Sequence, residues 1–374
     1  MIMQDVIVVG AGLAGLVCAR RLQQAGQQVS LLEKSRGLGG RLATRRINGV
    51  PLDHGTRYLA HHGDRFRLLT QHWLDQGLLA PWQPRTYVLN ATGDLHERCP
   101  TAPYLVAPAG MNAIGKTLGR GLTIHRQQRL VSLALTDQDT WQLTAERAED
   151  QSLVQHQARA IVLALPAPQI LPILQPLAAI AALSPLLAAL ATVTYAPVVT
   201  VMAQYDEPIV RPTDALPGSP TAAWMVEGHP DTPLFWVGLD SSKRAIKGMN
   251  VVIHSSAAFA RHWLEMLDLP LVGEALLAQA SQCIAGWVAA PQQWQVHRWR
   301  YGLVETPSPA SLLTTTAPLP LVACGDWCGA ANLDTALASG WAAAKAIQTA
   351  LGAEPLPPFP AGLLTPASTI DAAS

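Results

Sequence analysis

Gly10-Ala11-Gly12-Leu13-Ala14-Gly15 lies between an apolar run, Val6 to Val9, and a stretch with helical periodicity. Glycines at this spacing suit the binding of a pyrophosphate. Gly10 permits a tight turn, Gly12 lets the backbone approach the anion, and Gly15 lets helix and strand pack closely. The N-terminus of the following helix, with Leu13 and Ala14 in its first turn, then faces the negative charge. Glu33 ends the next apolar run, about 20 residues on, where a carboxylate accepts hydrogen bonds from ribose hydroxyls and disfavours a 2′-phosphate.

Two further constellations extend this one. Lys34-Ser35-Arg36-Gly37-Leu38-Gly39-Gly40-Arg41 follows Glu33 directly, and Asp53-His54-Gly55-Thr56-Arg57-Tyr58 follows after a short spacer. Far along the chain, Ala323-Cys324-Gly325-Asp326 ends an apolar strand, and Asn332-Leu333-Asp334-Thr335-Ala336 opens the last helix. Together these stretches resemble the FAD-binding regions of the amine-oxidase-like flavoproteins. The resemblance implies non-covalent FAD. Gly39, Gly40 and Arg41 would lie along the pyrophosphate, Arg57 and Tyr58 would approach the flavin edge, and Lys34, His54, Gly55 and Thr56 belong to the same cofactor-binding set. Gly325 and Asp326 would hold the ribityl chain. Asn332, Leu333, Asp334 and Ala336 would aim a helix N-terminus at the flavin pyrimidine, where negative charge develops on reduction. Leu130, in an expected strand, completes the cofactor set.

Within that superfamily the chain up to about residue 350 resembles the renalase family. The stretches that carry this are Asp53 to Tyr58, Ala107 to Met111, Ile161 to Pro166, Asp240-Ser241-Ser242-Lys243-Arg244, Val252-Ile253-His254, Trp299-Arg300 and Asn332-Leu333-Asp334. The resemblance implies oxidation of 2- and 6-dihydro isomers of NAD(P)H to NAD(P)+, with O2 reduced to H2O2. A dihydropyridine expels hydride readily as it becomes aromatic, so the site must mainly position it. His254, Trp299, Asn332 and Thr200 are the expected catalytic-site residues.

An FAD-dependent amine oxidase acting on small amines or polyamines is the rival enzyme. Three departures weaken it. Thr200 and Asn332 stand where such enzymes usually place a lysine and one wall of an aromatic cage, and no cysteine follows Trp299 to link the flavin. A flavin-binding redox sensor without turnover is the third reading. Asp240, Lys243 and Arg244 read as a turn with a local ion pair, and Arg300 as an exposed strand residue.

These residues require an α/β fold: a Rossmann-type FAD-binding domain, similar to glutathione reductase and p-hydroxybenzoate hydroxylase, with an interleaved mixed-sheet α+β substrate domain. The expected FAD domain is discontinuous (1–80, 105–170 and 318–352), the substrate domain spans 81–104 and 171–317, and 353–374 is a Pro/Ala-rich tail. Residues 5–33 read as one βαβ unit, 65–80 and 110–120 as helices, and 85–99 as a hairpin turning at Asn90–Gly93. Three strands at 122–125, 129–135 and 140–145 read as an antiparallel meander.

Composition limits the remaining possibilities. Of 374 residues 49% are hydrophobic and 14% charged, the latter against roughly 25% in average proteins, which leaves ample material for a large core. Lys+Arg and Asp+Glu are balanced at 26 each, so there is no basic footprint for nucleic acid. Cys18, Cys99, Cys283, Cys324 and Cys328 are odd in number and scattered, which argues against a disulfide framework, and no zinc-ligand pattern accompanies them. Prolines interrupt the most apolar stretch, 161–193, before it reaches the ~20 residues of a membrane span. With no leader pattern before Val6, the expectation is a cytoplasmic protein whose partners are a dihydronicotinamide dinucleotide and O2, with a monomer favoured over an oligomer.

Overall fold

The computed structural model describes residues 3–60, 63–100, 102–205, 222–244, 246 and 248–358. The chain begins with β1 (Gln4–Val9), α1 (Leu13–Gln24), β2 (Val29–Glu33), the short β3 (Thr44–Ile47) and β4 (Val50–Asp53), and α2 (Asp64–Asp75). It continues through β5 (Ala80–Trp82), β6 (Arg85–Leu89), β7 (Leu95–Arg98), β8 (Tyr104–Val106), α3 (Asn112–Leu118), β9 (Thr123–Arg126), β10 (Gln128–Leu135), β11 (Trp141–Arg147) and β12 (Leu153–Leu163). After α4 (Ala167–Leu174) and α5 (Ser184–Ala191) come β13 (Thr194–Tyr205), β14 (Trp224–Glu227), β15 (Leu234–Leu239), β16 (Met249–Ser255), α6 (Ala257–His262) and α7 (Leu269–Cys283). β17 (Gln293–Thr306), β18 (Leu313–Thr315), β19 (Leu321–Ala323) and α8 (Leu333–Ala350) complete it.

The first sheet is Rossmann-type. β9, β2, β1 and β12 run parallel, and β19 lies beside the C-terminal half of β12. β1 is fully buried from Val6 onward, as a strand covered on both faces must be. Alternation sorts its side chains: Val6 and Val8 pack toward α1 and α8, while Ile7 and Val9 pack on the opposite face with Trp141, Ile170 and Leu190. The N-terminal half of β12 pairs antiparallel with β11, which pairs with β10.

The second sheet has the order β17-β13-β16-β15-β14-β6-β7. One face, with Val199, Val201, Val251 and Ile253, packs on Val272 and Leu276 of α7. The other face, with Met202, Val252, Trp236 and Met225, joins the core cluster of the Rossmann helices. Residues in phase with those four, Thr200 and His254 among them, therefore face the first domain.

Several expectations need correction. β9 is no part of a meander: it pairs parallel with β2 through Ser30↔Thr123, and the antiparallel unit is β10-β11-β12. The expected helix 65–80 stops at Asp75, since Gly77 takes φ 69°, and β5 follows. The 171–193 segment, expected with the substrate domain, packs through Ile173, Leu186 and Leu190 on the first sheet, and β18 pairs with β19 there. Most of the expected tail, from 359, lies outside the described residues. No helix among the described residues is long and apolar enough to cross a membrane.

Candidate functional site

The glycine turn sits where β1 gives way to α1. Gly10 takes φ 101°, and its N–H donates to Leu32 O at 2.8 Å, tying the turn to β2. A side chain at Gly15 would strike Gly10 O, so helix and strand approach as closely as backbone permits. At Gly12 the space a Cβ would enter is open. The loop after β2 folds over this turn, with Gly39 N–H donating to Ala11 O at 2.8 Å and Gly40 lying against Gly12. The helix N-terminus and two glycine segments thus form a cradle that a pyrophosphate can enter.

Glu33 braces the cradle as well as closing β2. Its Oε2 accepts from Ala11 N–H at 2.8 Å and its Oε1 from Ser35 N–H at 2.7 Å. A carboxylate has about four acceptor positions, so capacity for ribose hydroxyls remains. Lys34 is exposed. Leu130 is buried beside the β10 bulge, in the cluster with Val9 and Leu32.

The third constellation reaches the same place. α8 packs on α1 so tightly that a Cβ at Gly340 would strike Ala14 O. Asn332 is the N-cap of α8: its Oδ1 accepts from Thr335 N–H at 2.8 Å and from Thr335 Oγ1 at 3.0 Å. The side-chain oxygen expected to act in catalysis is thus committed to the helix terminus, beside Leu333, Asp334 and the buried Ala336. Asp334 lies so near Gly63 that a side chain there would collide with its carboxylate. Gly325 N–H donates to Ser339 Oγ at 3.1 Å, and Asp326 forms a two-point ion pair with Arg41. Gly55 lies against Arg41 O, and Thr56 N–H donates to that same carbonyl at 2.7 Å.

Opposite the cradle, the second sheet presents one polar rung. Register aligns His297, Thr200, His254 and Trp236 across β17, β13, β16 and β15. His54 joins them from the first domain. Its ring lies 4.9 Å from His297 and is stacked on Trp299 at 5.4 Å, while Trp299 Nε1 donates to His54 O at 2.9 Å. Burial pushes His54 down to about 3, with the nearby His297 and Arg45 adding to the effect, and pushes His297 down to about 4. Burial, then Arg57 and Lys243, hold His254 well below the usual histidine range. All three imidazoles are neutral at pH 7.

Three polar atoms in this region, His54 Nδ1, Thr200 Oγ1 and His254 Nε2, are buried without a hydrogen-bond partner among the described residues. Such a group costs about 1–3 kcal/mol when left unpaired. These atoms and the open cradle at Gly12 fit an elongated ligand with a pyrophosphate at one end and a planar polar ring at the other.

Around the rung stands an aromatic wall. Tyr58 lies 4.2 Å from Tyr104, and Trp236 5.7 Å from His254. Arg57 is partly buried, with its guanidinium carbon 4.6 Å from the Phe235 ring, 5.3 Å from Tyr58 and 5.9 Å from Trp236. Behind the wall, the expected turn with a local ion pair is a buried network: Asp240, Lys243 and Arg244 pair with one another and with Asp53. Arg300 is exposed, as expected, and grips Glu265 with two hydrogen bonds. His297, Trp236 and Phe235 were not singled out from the sequence. His297 was within reach, standing two residues before Trp299 and so on the same strand face.

The Rossmann sheet, the glycine cradle and the polar rung facing it define an FAD-dependent, amine-oxidase-like oxidoreductase. The chain belongs to the flavin containing amine oxidoreductase family, whose model matches residues 100–348, and residues 8–73 match the NAD(P)-binding Rossmann-like domain. A 55-residue segment is 47% identical to a provisionally named flavin-containing monoamine oxidase of Mycobacterium tuberculosis, covering 15% of this chain and 12% of that protein. A 57-residue segment is 42% identical to putrescine oxidase of Kocuria rosea, again covering 15% and 12%. The matches thus span about an eighth of these relatives. Among solved structures, a protein of Exiguobacterium sp. 255-15, provisionally named a protoporphyrinogen oxidase, superposes with TM-score 0.68 at 15% identity over 92% of this chain and 99% of that one. A putrescine oxidase variant gives 0.67 at 14% identity over 93% and 99%. At these identities the structures show a shared fold.

Proposed function

We propose that this protein is a renalase-like oxidase that converts 2- and 6-dihydro isomers of NAD(P)H to NAD(P)+, with O2 reduced to H2O2. The observation that carries the reading is the central rung. His297, Thr200 and His254 offer hydrogen bonds but no charge at neutral pH. Hydride loss from a dihydropyridine needs no general base, because the donor carries its own driving force in aromatisation. Oxidation of an amine first requires a deprotonated amine, and imidazoles whose proton affinity is lowered this far are poor acceptors of an ammonium proton.

Bound FAD supplies the two-electron acceptor. The reading assigns the chain's own residues to holding and orientation. Gly10, Gly12, Leu13, Ala14, Gly15, Gly39, Gly40 and Arg41 surround the pyrophosphate, and Glu33 takes the adenosine ribose. Asp326 and the start of α8 take the ribityl and pyrimidine end. Thr200 Oγ1 and His254 Nε2 are placed to bond a neutral planar group such as a carboxamide, and Trp236 and Trp299 confine the ring. Confinement of this kind accelerates reaction by fixing the reacting atoms near contact distance. Product analysis tests the stoichiometry: one NAD(P)+ and one H2O2 per O2 consumed. Consumption of the isomers without H2O2 contradicts the oxidase assignment.

An amine oxidase is the second reading, favoured by the family match and by the similarity of a 57-residue segment to putrescine oxidase. The two readings predict different flavin reductants.

A further inference from the structure

Two cations stand against the aromatic wall, and they are treated differently. Lys243 Nζ lies 5.5 Å from the Trp236 ring and 5.7 Å from Trp82, but Asp240 at 2.6 Å and Asp53 at 3.5 Å answer its charge. Arg57 makes no hydrogen bond or ion pair among the described residues. Its environment is the faces of Phe235, Tyr58 and Trp236. Glu227, on the same rung as Trp236, bonds Arg98 at 2.7 Å.

Aromatic faces hold a guanidinium in place without consuming its N–H donors. Arg57 is therefore a fixed positive charge with its hydrogen-bonding fork unspent, one ring away from the unpartnered Nε2 of His254. Burial lowers its affinity for a proton, but a guanidinium stays charged in any protein. An oxyanion entering here gains a charge-assisted, two-point contact. Glu227, whose carboxylate is bonded to Arg98, favours the charged guanidinium without making a hydrogen bond or ion pair to it, so a protonated amine that enters meets a like charge in a partly dehydrated site, which acts as selection against cations.

We propose that Arg57 is the oxyanion receptor of the substrate cleft, binding a phosphate or carboxylate group of the substrate and turning protonated amines away. The sequence expectation put Arg57 at the flavin edge; the proposal gives it to the substrate instead. The proposal rests on reading the His254 rung as the substrate side of the site.

The test uses the oxidised, FAD-loaded protein and unreactive ligands. Calorimetric titration with inorganic pyrophosphate and, separately, with benzoate is made on wild type, Arg57→Gln and Arg57→Lys. At least one anion should bind wild type. Its Kd should weaken about ten- to a hundredfold in Arg57→Gln and partly recover in Arg57→Lys, with flavin content unchanged. Pyrophosphate binding identifies a phosphate-bearing substrate, and benzoate binding alone a carboxylate-bearing one. Equal Kd values in wild type and Arg57→Gln, binding of neither anion, or loss of FAD from Arg57→Gln overturns the proposal. No ligand in these titrations is oxidised, so the result stands apart from whether dihydronicotinamides reduce the flavin.

Discussion

Arg41 and Asp326 stand 285 positions apart in the chain and meet in a two-point ion pair, Nη1 to Oδ2 at 2.6 Å and Nη2 to Oδ1 at 2.8 Å. The pair clasps the loop after β2 to the end of β19, beside the glycine cradle. Its members were expected to touch different parts of FAD. The structure shows that they also position each other.

That clasp makes a first prediction. The pair is partly exposed, at 30% and 18%, so its own contribution to stability is small, about 1 kcal/mol or less. Arg41→Met should shift the urea midpoint little while markedly lowering the flavin-to-protein ratio after gel filtration. Full flavin occupancy in Arg41→Met would remove Arg41 from the cofactor site.

Glu33 should behave differently. Both carboxylate oxygens accept backbone N–H bonds, so Glu33→Ala removes braces of the turn as well as a ribose contact. The expected loss is about 1–3 kcal/mol in folding stability together with weakened FAD retention. Thermal unfolding of the flavin-free protein separates the two effects. An unchanged midpoint there would show that the braces contribute nothing.

The buried network predicts a larger effect. Asp53, Asp240, Lys243 and Arg244 balance at two charges of each sign, and the Asp53 and Lys243 side chains are fully buried. Lys243→Met leaves two carboxylates facing one guanidinium, and a buried charge stripped of its partner costs about 3–5 kcal/mol. Equilibrium urea unfolding should show a loss of that order. A loss below about 1 kcal/mol would mean that the network is hydrated or loosely held.

The site was legible in the sequence where chemistry demands a local pattern. Gly10 to Gly15, Glu33 and the Gly39-Gly40-Arg41 stretch needed only neighbours in the chain to be recognised, and FAD followed from them. Residues gathered by register were less visible. Trp236 meets His254 because β15 pairs with β16 in one particular alignment, and no local spacing encodes that. The Asp240 to Arg244 turn showed its local ion pair, but not its burial, because the fourth charge, Asp53, lies on a distant strand. β9 was assigned to a meander because a strand's short apolar run does not reveal which neighbour it pairs with.

Stability should depend on pH through the neutral histidines. His54 and His297 titrate near the usual 6.5 when unfolded but at about 3 and about 4 when folded. Between those limits the unfolded chain binds more protons than the folded one, so stability falls as pH is lowered through 6.5 toward 4. It is fully retained above 6.5. Each histidine contributes a slope of up to about 1.4 kcal/mol per pH unit in that window. Urea midpoints from pH 7.5 to 5 should decline, and His54→Asn should flatten the decline. Equal slopes in wild type and His54→Asn would place the linkage elsewhere.

The choice of hydride donor is tested most directly by anaerobic mixing of the FAD-loaded protein with isomer-enriched NADH, pure 4-dihydro NADH, putrescine and an aryl amine, following loss of the oxidised flavin's visible absorption in a stopped-flow instrument. Isomer-enriched NADH should bleach the flavin fastest, with 4-dihydro NADH on the order of a hundredfold slower, the cost expected of a reacting carbon displaced by about 1 Å from the productive geometry. Fast bleaching by putrescine or the aryl amine, with none by the isomers, contradicts the account and restores the amine-oxidase reading.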